Sequence, residues 1–161
     1  MVGVVGEFGR SNISDSVSAF STTPANYTMT REINYHAAYR VRAGYAANRT
    51  LFYVTGGGAL ANIKRRFQSS NTANSFTDND NDLAFGFQGG GGIEQKISKN
   101  ISFGLEYMYN HYRDDLRVFV GRGTAPATNP FVLVSPNGTT FARSDDNFRW
   151  HSVRATVNFR F

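Results

Sequence analysis

The sequence predicts an all-β chain, an antiparallel up-and-down barrel whose strands cross a membrane. Three observations carry that expectation. Apolar residues recur at every second position in several separate segments, which is the period of a strand. The links between those segments are either very short or long and polar. The apolar faces hold no Asp, Glu, Lys or Arg, and the central charges of the strands fall on the opposite faces.

Composition agrees. The 161 residues fit a single domain, residues 1–161. Charged residues make up 18% of the chain, against about 25% in ordinary globular domains. Phe (14), Tyr (8) and Gly (16) are abundant, a mixture suited to strands and turns. Cysteine is absent, which excludes disulfide scaffolds, cysteine–zinc sites and thiol catalysis. The formal net charge is +5, yet the one compact basic cluster is Lys64-Arg65-Arg66, so nucleic acid is not an expected partner. The longest uncharged apolar run, residues 50–63, is broken by three glycines. It falls short of the roughly 20 residues a membrane helix needs.

Six segments read as strands. In residues 2–8, Val2, Val4 and Phe8 stand against Val5 and Glu7. The second segment places Tyr35, Ala37, Tyr39, Val41, Ala43 and Tyr45 opposite His36, Ala38, Arg40, Arg42 and Gly44. Residues 50–64 are apolar on both faces. A two-residue turn at Asn48-Arg49 would pair Ala47 with Thr50 and bring Phe52, Val54 and Leu60 onto the face of Tyr45. Next, Leu83, Phe85, Phe87, Ile93 and Ile97 oppose Gln88, Glu94 and Lys96. After a short link at Ser98-Lys99-Asn100, Ile101, Phe103, Leu105, Tyr107 and Tyr109 alternate with Ser102, Gly104, Glu106, Met108 and Asn110. The last segment sets Val153, Ala155, Val157, Phe159 and Phe161 against Ser152, Arg154, Thr156, Asn158 and Arg160.

The links over residues 9–34, 67–82 and 114–148 are long and rich in Asn, Ser, Thr, Asp and Gly. Outer-membrane barrels sort their links this way, with tight turns at one end and long loops at the other. Tyr35, Tyr45, Phe52, Phe85, Tyr107, Tyr109 and Phe161 lie near strand ends, where interfacial girdles belong. Alternation alone leaves open a soluble lipocalin-like barrel with the faces inverted. The sorted links and the girdles favour the membrane.

Three stretches resemble one family. "YRVRAGYAANRTLFYVTGGGALANIKRRF" (residues 39–67) and "FGFQGGGGIEQKISKNISFGLEYMYNHY" (residues 85–112) are similar to two hairpins of the small outer-membrane β-barrel proteins of Gram-negative bacteria. These are the opacity-type or outer-membrane immunogenic proteins, close in shape to the outer-membrane protein A barrel. "HSVRATVNFRF" (residues 151–161) looks like the family's closing strand. The resemblance implies a cell outer-membrane location, with lipid and lipopolysaccharide as surroundings. It also implies assembly by the barrel-assembly machinery, which reads terminal aromatic residues at positions matching Phe159 and Phe161. The family barrel has eight strands, and "VGVVGEFGRSN" (residues 2–12) resembles its third. A signal peptide and a first hairpin are therefore expected upstream. Without them, a gap or a poorly paired seam is expected between the first and last strands seen here.

The charged residues opposite the apolar faces form the candidate site: Glu7, Arg40, Arg42, Glu94, Glu106 and Arg154. In a narrow lumen such charges are tolerable only when paired. Glu106, Arg42 and Arg154 count to similar heights, and Glu106 with Arg154, on adjacent strands, is the expected pair. The expected role is a network that plugs the barrel of a structural membrane protein. Passage of small solutes through a narrow porin is the alternative.

Other motifs carry less. Gly56-x-Gly58-x-x-Ala61 formally matches a dinucleotide fingerprint, but alternation continues past it where a helix is required, so no cofactor is expected. Asp78-Asn79-Asp80-Asn81-Asp82 opens like a calcium loop but lacks its glycine and its glutamate, leaving at most weak divalent-cation binding. His36, His111 and His151 have no companions at ligand spacing, and all lie toward the loop side. Relatives that bind haemin keep a haemin site at the loops as a further alternative. No catalytic arrangement is legible, so an enzyme is not expected.

Overall fold

The computed structural model of the chain describes residues 1–22, 25–78, 82–133 and 135–159. Period-two alternation builds one antiparallel sheet of six strands, in the order β1 (Val2–Ser21), β2 (Ala25–Ala47), β3 (Thr50–Ser69), β5 (Asp82–Lys96), β6 (Ile101–Arg113) and β9 (Asn147–Phe159). Three short strands, β4 (Ser75–Asp78), β7 (Arg117–Gly121) and β8 (Thr139–Ala142), form a second sheet. A single helical turn, α1 (Pro130–Leu133), lies between β7 and β8.

The tight links fall where the turn chemistry places them. Ala47 pairs with Thr50 and Tyr45 with Phe52. Asn48 takes a φ of 54°, a left-handed conformation that Asn tolerates better than most residues. At the other tight link the Ser98 hydroxyl accepts from the Asn100 and Ile101 amides at 3.3 and 3.1 Å.

The two faces separate cleanly. Phe8, Phe85 and Val153 are at least 70% exposed, whereas Met108 and Tyr112 on the opposite face are fully buried. The apolar face is thus the outer one, which removes the lipocalin-like alternative. So continuous an apolar exterior is suited to lipid and unsuited to water. On β2 the outward band runs from Tyr35 to Tyr45. At about 3.4 Å per residue and a strand tilt of about 40° it spans about 26 Å, close to the apolar height of outer-membrane barrels.

The links expected over residues 9–34, 67–82 and 114–148 are not plain loops. β1 and β2 continue far beyond the apolar band, and parts of the other two links form the second sheet. The alternation persists there, but Ser and Thr occupy the outward face, which water rather than lipid surrounds. Ser16 pairs its hydroxyl with Thr30 at 2.9 Å, and Ser18 with Thr28 at 3.1 Å. The second sheet packs on the inner side of this projecting wall, burying Leu116 and Val118 against Met29. Tyr27, Phe67, Phe76, Phe131 and Phe141 fill the same space, with neighbouring ring centroids 5.1–6.4 Å apart.

Among the described residues, β1 is hydrogen-bonded only to β2 and β9 only to β6. The main sheet is therefore open between them, where the break in the ladder was expected.

Candidate functional site

The concave face of the sheet carries three layers. The layer nearest the tight turns holds the predicted charges. Glu7 on β1 accepts from Arg40 Nη2 on β2 at 2.8 Å and meets Arg154 Nη1 on β9 at 2.5 Å. Its other oxygen lies 3.0 Å from His36 Nε2. Arg40 also donates to Glu106 on β6 at 3.2 Å. Glu106 accepts in turn from the Tyr53 hydroxyl on β3 at 3.1 Å. Arg42 lies 3.4 Å over the Tyr53 ring and donates to Glu94 on β5 at 2.8 Å, and Ser102 donates to the second oxygen of Glu94 at 2.5 Å. One connected set thus draws a side chain from every strand of the main sheet.

These six residues are brought together, but not in the expected pairs. Glu106 and Arg154 face each other across the β6–β9 ladder, yet Glu106 bonds Arg40 and Tyr53 while Arg154 turns to Glu7. The sheet curls strongly enough that Arg40 reaches across from β2 to β6. Arg40, only 3% exposed, is consequently the hub. Lys96, read on the same face, stands near the tight turns outside this set.

The middle layer is apolar. Ile33, Ala61, Ile63, Tyr112 and Phe148 form its buried core, with Ile13 and Trp150 packed against it. Tyr112 and Trp150 stack nearly parallel, 5.1 Å apart. Gln88 donates to the Tyr112 hydroxyl at 3.3 Å.

The third layer is a second charged network that the sequence reading missed. Arg31 donates to Asp15 at 3.0 Å, to Asp114 at 3.4 Å and to the Asn147 carbonyl at 3.0 Å. Arg65 donates to Asp114 at 2.7 Å, and Arg143 to Asp15 at 2.6 Å. The Arg31 guanidinium also lies 4.7 Å from the Phe148 ring centre. The signal was present: Tyr27, Met29, Arg31 and Ile33 alternate with Thr28, Thr30 and Glu32. A Ser/Thr outward face disguised it as a loop. Of the basic cluster, Arg65 turns inward to Asp114, while Lys64 and Arg66 lie on the opposite face.

Gly56-x-Gly58-x-x-Ala61 lies in the middle of β3, with no helix to receive a phosphate. His111 and His151 share an outward patch, flanking Tyr109 with ring centroids 6.4 and 5.2 Å away, while His36 faces inward to Glu7. Among the described residues no three His, Asp or Glu side chains converge to hold a metal ion. Of the acidic run at residues 78–82, residues 79–81 lie outside the described residues, as does Phe161. Phe159 points outward on β9.

Comparison with curated proteins and with solved structures returns no match. A family model does match: the outer membrane protein beta-barrel domain, over residues 1–161. Apolar exterior, paired charges on the concave side and this match agree, and the chain belongs to the outer-membrane β-barrel protein family.

Proposed function

We propose that the chain is a structural, non-conducting and non-enzymatic outer-membrane protein whose concave face is sealed by its own side chains. Its projecting β-wall and second sheet present a surface beyond the membrane. The observation supporting this is the apolar layer between two charged networks: Ile33, Ile63 and Tyr112 are fully buried where a pore would need water. An ion following that route would lose its hydration among apolar side chains, at a cost no nearby charge offsets. Insertion by the barrel-assembly machinery, reading Phe159 and the terminal aromatic, belongs to the same reading. Planar-bilayer recording tests it. The expected trace has no stable conductance steps, and reproducible steps would replace this reading with a narrow porin.

A further inference from the structure

At the loop-side end of the apolar band the outward face changes character on two paired strands at once. On β6 the outward run Phe103, Leu105, Tyr107 and Tyr109 gives way to His111 and Arg113. On β9 Val157, Ala155 and Val153 give way to His151 and Arg149. The ladder sets Arg149 opposite His111 and His151 opposite Tyr109. A ribbon of rings holds the two imidazoles. Phe87 of β5 stacks on His111 at 4.9 Å, and Tyr109 and Tyr107 lie 5.2 and 5.8 Å from His151. The Tyr107 hydroxyl lies 2.5 Å from His151 Nδ1, which turns Nε2 of that ring to the surroundings. Among the described residues, neither nitrogen of His111 is hydrogen-bonded and the exposed Arg113 has no ion-pair partner. Cationic side chains set opposite and beside one another on a sheet repel unless an anion lies between them. The nearby carboxylates are occupied: Asp115 is held by Arg117 at 2.8 Å, and Asp146 accepts from the Asn147 amide at 3.1 Å. Asp145 takes only Nη2 of Arg149, at 2.7 Å. These are outward side chains, and β5 and β6 are paired on both sides, so the patch owes nothing to the open edges.

We propose that this patch binds the phosphomonoester headgroup of a lipid in the leaflet on the loop side. Its height is the first ground, because it begins where the apolar outward residues stop, at the depth of lipid headgroups. Its chemistry is the second. A phosphomonoester carries up to about two charges and three terminal oxygens, enough to accept from Arg113, Arg149 and His111 together. A phosphodiester has a single charge and fewer free oxygens to share among them. Guanidinium forks match such oxygens closely. The acyl chains of the same lipid lie along Tyr107, Leu105 and Val153, which share the outward face below the patch. Whether the concave face conducts has no bearing on this site.

The test uses the full chain refolded in detergent micelles, read by the imidazole NMR signals of its three histidines. His36, turned inward to Glu7, is the internal control. Phosphatidic acid, which ends in a phosphomonoester, is expected to move the His111 and His151 signals in a saturable way and to leave His36 in place. Phosphatidylglycerol, a phosphodiester, is expected to bind about tenfold more weakly or worse at matched surface charge. Arg113→Gln is expected to weaken the phosphatidic acid response about tenfold without altering the heat-modifiable gel shift of the folded protein. Arg66→Gln, which removes an outward cation on β3, is expected to leave that response unchanged. An equal response to the two lipids, an equal response to inorganic phosphate, movement of His36 with the others, or full binding by Arg113→Gln would each overturn the proposal.

Discussion

Glu7 and Arg154 meet at 2.5 Å although, among the described residues, no backbone ladder joins their strands, β1 and β9. Farther out, Asp15 and Arg143 repeat the relationship at 2.6 Å, again from β1 to the far side of the opening. The opening in the sheet is therefore spanned by carboxylate–guanidinium pairs rather than by backbone hydrogen bonds. Such pairs hold two strands within side-chain reach without fixing their register.

The hub position of Arg40 sets the order of three arginine variants. Arg40→Ala leaves Glu7 and Glu106 short of a partner in a buried layer and is expected to cost about 3–5 kcal/mol. Arg154→Ala leaves Glu7 with Arg40 and His36 and is expected to cost about 1–2 kcal/mol. Arg149→Ala removes only a half-exposed pair with Asp145 and should leave global stability unchanged within error. Urea titration of the gel-shifted folded form ranks them, and equal losses for Arg40 and Arg149 would dissolve the network argument.

Two neighbouring glycines should respond in opposite ways. A Cβ at Gly57 would collide with the Tyr39 carbonyl oxygen and the Arg40 Cα, whereas one at Gly58 meets nothing within 4 Å. Gly57→Ala is expected to destabilise by about 1–3 kcal/mol, and Gly58→Ala by less than about 0.5 kcal/mol. The same urea titration reads both.

The position of the apolar band predicts where charge is tolerated. Leu105 lies mid-band on the outward face and is 53% exposed to what is lipid in the membrane. Leu105→Arg should cost about 2–4 kcal/mol in refolding from urea into liposomes. Ser16→Arg, outward but beyond the band, should stay within about 0.5 kcal/mol.

Asp145 gives a pH prediction outside the membrane. It accepts from the backbone N–H of Asn147, then from that residue's side-chain amide and from Arg149, and its pKa is lowered to about 2. A depressed carboxyl pKa contributes order that is present above its ordinary value near 4 and lost as pH falls through about 2. The start of β9 should therefore keep its amide protection at pH 4 and lose it nearer pH 2. Arg149→Ala should raise the Asp145 pKa only in part, since the backbone donor is the larger cause. Carboxyl NMR titration checks both; a midpoint near 4 in the intact protein would contradict them.

Taken alone, the sequence determined the six membrane-crossing strands, the Asn48 turn, the outward apolar face and the six charges opposite it. Each of these follows from local chemistry, because a period of two assigns every residue to a face and a tight turn sets register with its neighbour. Only the tertiary structure decided which charges meet. Arg40 reaches Glu106 because the sheet curls, bringing β2 opposite β6, and curvature is a property of the whole sheet rather than of any segment. Arg154 turns from its cross-strand neighbour Glu106 to Glu7 for the same reason. The projecting wall of β1 and β2, and the Asp15–Arg31–Asp114–Arg65 network behind it, were likewise settled by folding. Outside lipid, Ser14, Ser16 and Thr30 on an outward face satisfy a strand as well as a loop, so composition could not distinguish the two until their partners were in place.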